Sequence, residues 1–104
     1  MEMSVNTPKL ILYTERGVES LRLSERSIWT FGRGKKNTVQ LTDPCSSRYH
    51  AQIESIGQFY YYVDLNSRNG SLVNDHPVTE PVMLKNGDRI SIGETAIIFE
   101  HNSE

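Results

Sequence analysis

The pattern that most restricts this chain is a period of two. No window of eleven or more residues sustains a 3.6-residue repeat, whereas short runs of alternating apolar and polar residues recur about every ten positions between turn signals. Ten such runs can be read as strands: residues 9–14, 20–24, 27–32, 38–41, 49–55, 59–65, 71–74, 82–85, 89–92 and 95–100. In the sixth, Phe59, Tyr61, Val63 and Leu65 share one face and Tyr60, Tyr62 and Asp64 the other. Glycine and asparagine punctuate the runs at Arg16-Gly17, Gly32 to Gly34, Ile56-Gly57, Asn69-Gly70 and Asn86-Gly87, where positive φ costs little. Strands joined without intervening helices pair antiparallel, so the expectation is an all-β sandwich of two packed sheets.

With 104 residues the chain holds one core. We expect residues 1–7 and 102–104 to be loose tails around a domain at 8–101. Thirteen acids against eleven bases give a net charge of −2, so nothing draws the whole molecule to nucleic acid or to anionic lipid. A single cysteine, Cys45, permits neither an internal disulfide nor a thiolate zinc site. An acid near the start, where a signal peptide carries bases, and an apolar run too short to span a bilayer point to the cytosol.

Charge is not spread evenly. Between residues 32 and 50 stand Arg33, Lys35, Lys36 and Arg48 against one acid, Asp43, a local +3. Three polar loops stand out: "GRGKKN" (32–37), "SSRYH" (46–50) and "SRNGS" (67–71). A hydrolytic triad of Ser47, His50 and Asp64 would lack a nucleophile elbow and an evident oxyanion hole. The histidines at 50, 76 and 101 lack paired metal spacing. "GRGKKN" has two glycines of a dinucleotide fingerprint but neither the third nor a following helix. The basic loops together with Tyr60 and Tyr62 would suit a nucleic acid, except that the chain as a whole is acidic.

Four segments, in order, resemble the forkhead-associated (FHA) family, whose members read phosphothreonine: "FGR" (31–33), "TVQLTDPCSSRYHAQI" (38–53), "VDLNSRNGSLVN" (63–74) and "LKNGDRISIG" (84–93). The resemblance implies eleven strands, one more than the pattern shows, and no cofactor. It also implies roles. Arg33 is similar to the phosphate-binding arginine, Ser47 to the hydroxyl donor, Arg48 to the polar residue after it, and Asn69 to the asparagine that holds the peptide main chain. Arg68 adds a contact beside Asn69, while Gly32, His50 and Gly70 are architectural. Ser71 stands where threonine is usual, and Asn74-Asp75 replaces a frequent Asn-Gly.

The chemistry is compatible. Phosphothreonine carries about −1.5 to −2 charge and three acceptor oxygens, which suits a guanidinium that cannot lose its proton. Three or four charge-assisted bonds of about 1.5–3 kcal/mol each, less the ordering of a peptide, correspond to roughly micromolar affinity. The threonine methyl adds about 0.8 kcal/mol over serine. The partner expected is therefore a phosphothreonine-containing protein. An alternative is a phosphate-independent domain of the same fold that presents Tyr60 and Tyr62 on an outer sheet face. A phosphorylated Thr7 in the tail would allow one copy to occupy another's pocket.

Overall fold

The computed structural model describes residues 7–102. Eleven strands form two sheets. They are β1 (Lys9–Thr14), β2 (Gly17–Arg22), β3 (Ile28–Gly32), β4 (Val39–Gln40), β5 (Ala51–Ile56), β6 (Phe59–Asp64), β7 (Leu72–Val73), β8 (His76–Pro77), β9 (Val82–Met83), β10 (Arg89–Ile92) and β11 (Thr95–Glu100). One sheet runs β2-β1-β11-β10-β7-β8 and the other β4-β3-β5-β6-β9.

Alternation builds the layer between them. Leu10, Leu12, Ile90, Ile92, Ile97 and Phe99 point inward from the six-stranded sheet and meet Trp29, Phe31, Ala51, Ile53 and Tyr62 from the other. Each large apolar side chain so buried contributes about 1.5–3 kcal/mol relative to exposure. Tyr60 closes one side of this layer, its ring 6.2 Å from Trp29 and 5.8 Å from Phe99.

Four expectations are revised. The additional strand is β8, two residues that end in a proline and too short to leave a period in the sequence. β2 begins at Gly17, three residues earlier than the alternation places it, because its side chains are mostly exposed and carry no apolar signal. β4 pairs with β3 in parallel, Phe31 opposite Val39, so not every neighbouring pair is antiparallel. The connection between them doubles back: the Thr30 amide donates to Thr38 Oγ1 at 3.0 Å and the Thr38 amide to Thr30 Oγ1 at 2.9 Å. Finally, Tyr60 and Tyr62 face inward. Tyr62 is fully buried and donates its hydroxyl proton to Ser71 Oγ at 2.7 Å, and burial pushes its phenol pKa up. The aromatic residues turned outward on β6 are Phe59 and Tyr61, so an outer face built on Tyr60 and Tyr62 does not exist.

Strand direction sets where the loops lie. The β3–β4, β4–β5, β6–β7 and β10–β11 connections emerge at one end of the sandwich, and the β5–β6 and β9–β10 connections at the other.

Candidate functional site

The β3–β4 and β4–β5 loops are zipped together through their backbones. The Arg33 amide donates to the Ser47 carbonyl at 2.9 Å, and the Gly34 amide to the Arg48 carbonyl at 3.0 Å. This approach requires Gly32: a Cβ there would lie 2.2 Å from the Arg48 carbonyl oxygen, closer than any side chain tolerates. Asn37 reinforces the zip from a buried position, its Nδ2 donating to the carbonyls of Gly34 (2.9 Å) and Arg48 (2.8 Å).

Arg33 leans across the seam. Its Nε donates to the Ser46 carbonyl at 2.9 Å, which ties the guanidinium to the loop that carries Ser47 while the residue stays exposed. Ser46 is held in turn, its hydroxyl donating to the Asp43 carbonyl at 2.6 Å.

His50 ties the β4–β5 loop to the β6–β7 loop from beneath. Its ring is fully buried; Nδ1 accepts the Ser47 amide proton at 2.9 Å, and Nε2 lies 2.9 Å from the Gly70 carbonyl. A backbone amide can only donate and a carbonyl only accept, so the ring is the neutral tautomer with its proton on Nε2. Gly70 takes φ of 81°, a conformation that puts its carbonyl within reach.

Above this support the two loops also meet at the surface. The Arg68 amide donates to Ser47 Oγ at 2.9 Å, which uses one lone pair of the serine oxygen, and its proton has no partner among the described residues. Asn69 Nδ2 donates to the Cys45 carbonyl at 2.9 Å, which orients the amide and leaves Oδ1 at the surface. The exposed Arg33, Arg48, Arg68 and Asn69 and the half-buried Ser47 are thus gathered at one end, over the buried Gly32 and His50 and the half-buried Gly70.

Two carboxylates that the sequence pattern does not single out for this task hold the assembly. Asp64 accepts from the Ser67 amide (2.8 Å), the Ser67 hydroxyl (2.7 Å) and the Ser71 hydroxyl (2.6 Å) and lies 3.8 Å from His50 Nε2. Burial raises its pKa, but the hydrogen bonds from Ser71 and Ser67 outweigh burial and hold it below the usual carboxylate range. Asp43 accepts from the Cys45 amide, the Glu94 amide and the Thr95 hydroxyl, pinning the β4–β5 loop to the β10–β11 turn. Burial opposes ionisation there too, and the same bonds win. Asn37, Asp43 and Asp64 are ordinary loop or strand-end residues in sequence; only Asn37, closing a turn three residues after a glycine, leaves a local trace.

Thr7 lies elsewhere. The Pro8 carbonyl accepts the Leu23 amide at 2.9 Å, and β1 then runs six residues toward the loop end, about 20 Å. The threonine is therefore at the end of the sandwich opposite Ser47.

Comparison with known proteins places this geometry. Residues 29–93 match the family model described as FHA domain. The chain is 34% identical over 96 residues to an oxoglutarate dehydrogenase inhibitor of Corynebacterium jeikeium, covering 90% of this chain and 66% of that protein. It is 34% identical over 91 residues to the glycogen accumulation regulator GarA of Mycobacterium tuberculosis, covering 86% of this chain and 56% of GarA. This chain thus spans between about half and two thirds of the length of these relatives. Among solved structures, a chain from a study of phosphothreonine-dependent FHA domain interactions superposes with a TM-score of 0.84 at 34% identity, covering 94% of this chain and 99% of its own. The FhaA FHA domain, solved in complex with the intracellular domain of another protein, gives 0.81 at 35%, covering 90% and 100%. With the matched span running from β3 to the β10–β11 turn, and so across every loop described above, the chain belongs to the FHA domain family.

Proposed function

We propose that this domain binds phosphothreonine-containing segments of partner proteins through its β3–β4, β4–β5 and β6–β7 loops and catalyses no reaction. One observation carries the reading. The Arg33 guanidinium is oriented by its bond to the carbonyl of Ser46, the residue before Ser47, and the Ser47 hydroxyl, which accepts the Arg68 amide, keeps its proton to donate. A fork of charged donors together with a hydroxyl poised to donate suits a dianionic, three-oxygen ligand. Asn69, oriented by Cys45, offers an amide that can pair with a peptide main chain on either side of it.

The same geometry argues against hydrolysis. Both nitrogens of His50 are engaged with backbone groups, and Nδ1 receives the Ser47 amide proton rather than the hydroxyl proton. The ring therefore has no free nitrogen with which to act as a base toward Ser47. The relatives named as a regulator and an inhibitor support a role in signalling.

The test is a fluorescence-anisotropy titration with degenerate phosphothreonine, phosphoserine and unphosphorylated peptide libraries, on wild type and Arg33→Ala. Saturable binding confined to the phosphorylated pools, weakened about 10- to 100-fold in the variant, is expected from the loss of one charge-assisted contact. Equal binding of phosphorylated and unphosphorylated pools would overturn the reading and direct attention to the outward face of Phe59, Tyr61 and Met83. A chain phosphorylated at Thr7 would reach only the pocket of another copy, given its place at the opposite end. If such a chain sedimented as a monomer, self-association would be excluded.

A further inference from the structure

The loops around Ser47 hold more positive charge than one phosphate group neutralises. Arg33, Lys35, Lys36, Arg48 and Arg68 are all exposed there. Among the described residues the one acid–base pair within 4.0 Å is His50 with Asp64, so none of these five cations is matched by a neighbouring carboxylate. The acid nearest in sequence, Asp43, spends both oxygens on Cys45, Glu94 and Thr95, on the flank of the β4–β5 loop that faces the β10–β11 turn. A phosphothreonine brings about −1.5 to −2. Some three cations are left over in a chain whose total charge is −2.

The surplus is carried on a fixed turn. Gly34, Lys35, Lys36 and Asn37 close on themselves through the Asn37 amide and side chain, both donating to the Gly34 carbonyl at 3.4 and 2.9 Å. Asn37 also grips the Arg48 carbonyl. Turn corners usually hold glycine, proline, asparagine, aspartate or serine, for reasons of backbone geometry. Two adjacent lysines at the corner have no such explanation. Arg48 lies against the same turn: a Cβ on Gly34 would come within 2.8 Å of its Cγ.

We propose that Lys35, Lys36 and Arg48 form a second anion subsite beside the phosphate pocket, selecting partners that carry further negative charge close to the phosphothreonine. The added group is an anion of either kind, a carboxylate side chain or a second phosphate. Lys35 follows Gly34, whose amide is bonded to the residue after Ser47, so the two positions are about 10 Å apart, near one Debye length at physiological salt. An extended peptide advances about 3.3 Å per residue. The extra charge therefore falls within about three residues of the phosphothreonine.

This inference rests on the phosphothreonine reading above, and the experiment separates the two. Labelled phosphothreonine libraries with neutral flanks, with glutamate flanks and with a second phosphothreonine are titrated against wild type and Lys35→Gln/Lys36→Gln at about 50 mM and 500 mM salt. Exposed ion pairs are individually weak, so two or three together give about a fivefold to tenfold preference for anionic flanks at low salt. That preference shrinks toward unity in the double variant and at high salt. The glutamate and diphosphorylated arms show which anion fits better. Equal affinity for neutral and anionic flanks, or a preference that survives in the double variant, overturns the subsite while leaving the phosphate pocket intact. Binding that ignores phosphate altogether removes both.

Discussion

The two ends of the sandwich close their connections by different physics. At the loop end the decisive contacts join residues far apart in sequence: Arg33 to Ser46 across 13 positions, His50 to Gly70 across 20, Arg68 to Ser47 across 21 and Asn69 to Cys45 across 24. The connections remote from Ser47 rest more on backbone turns, with Asn74 alone of the two β7–β8 hairpin residues reaching out, to Asp88 and Arg89 across 14 and 15 positions. The β5–β6 turn needs only Gly57 at φ 63°, and the β7–β8 hairpin needs Asn74 and Asp75 at 52° and 69°, the pair of left-handed residues that a two-residue turn demands. A turn without such ties, like that at Gly57, is modular, and changing it leaves the others standing. The long-range network is shared, and no member of it can change alone.

The strongest way to break this contrast is to remove the residue that serves both loops at once. His50→Ala deletes a fully buried ring and leaves the Ser47 amide and the Gly70 carbonyl without partners. We expect a loss of about 3 kcal/mol in urea unfolding, from the cavity and the unpaired polar groups together. Phosphopeptide affinity should fall further than the unfolded fraction explains, because Ser47 and Asn69 lose their relative placement. Near-native stability with native affinity would show that the two loops hold their positions independently.

Acid should loosen the same end. Asp43 and Asp64 have folded pKa values below their ordinary ones, so the unfolded chain takes up their protons more readily. Their contribution to stability is complete above the unfolded carboxylate value of about 3.9 and is lost as the pH falls through the lower folded values. Melting temperatures followed downward from about pH 6 should decline most steeply below about pH 4. Asp64→Asn should make that decline shallower, since one of the two linked protons is gone. An unchanged slope in the variant would mean that the serine bonds to Asp64 do not depend on its charge.

The same distinction decides what could be read from the sequence. The limits of β1, β10 and β11 follow directly from alternation, since each buries every second residue. The three consecutive tyrosines defeat it. Their period is plain, but their phase is not, because any of them is apolar enough to face the core. What selects Tyr62 is a hydroxyl partner, Ser71, that only the folded chain brings to 2.7 Å. The loop residues Arg33, Ser47, Arg48, Arg68 and Asn69 stand out as candidates in the sequence because they sit in ordered motifs, and the structure gathers them at one end. Asn37 and Asp43 do not stand out, since their work lies in partners 11 and about 50 positions away: Arg48 for the first, Glu94 and Thr95 for the second. The parallel β3–β4 pairing was hidden for the same reason, as it rests on a loop that folds back between two threonines.

The smallest effect sharpens the comparison from the other side. Asp75 holds a left-handed conformation without using its side chain in any hydrogen bond found among the described residues, so Asp75→Gly should relieve strain at little cost. A gain of about 0.5 kcal/mol in urea unfolding is expected, after the extra flexibility of glycine in the unfolded chain is deducted. Phosphopeptide affinity should be unchanged. Its neighbour behaves differently: Asn74 is equally left-handed, yet Nδ2 donates to Asp88 Oδ1 at 2.9 Å and Oδ1 accepts the Arg89 amide at 3.0 Å. Asn74→Gly would exchange those two bonds for the same relief and should destabilise by about 1 kcal/mol. If both glycine variants stabilised, the hairpin would be governed by backbone strain alone. If Asp75→Gly weakened phosphopeptide binding, the turn would be coupled to the distant loops, and the division between a shared end and a modular one would fail.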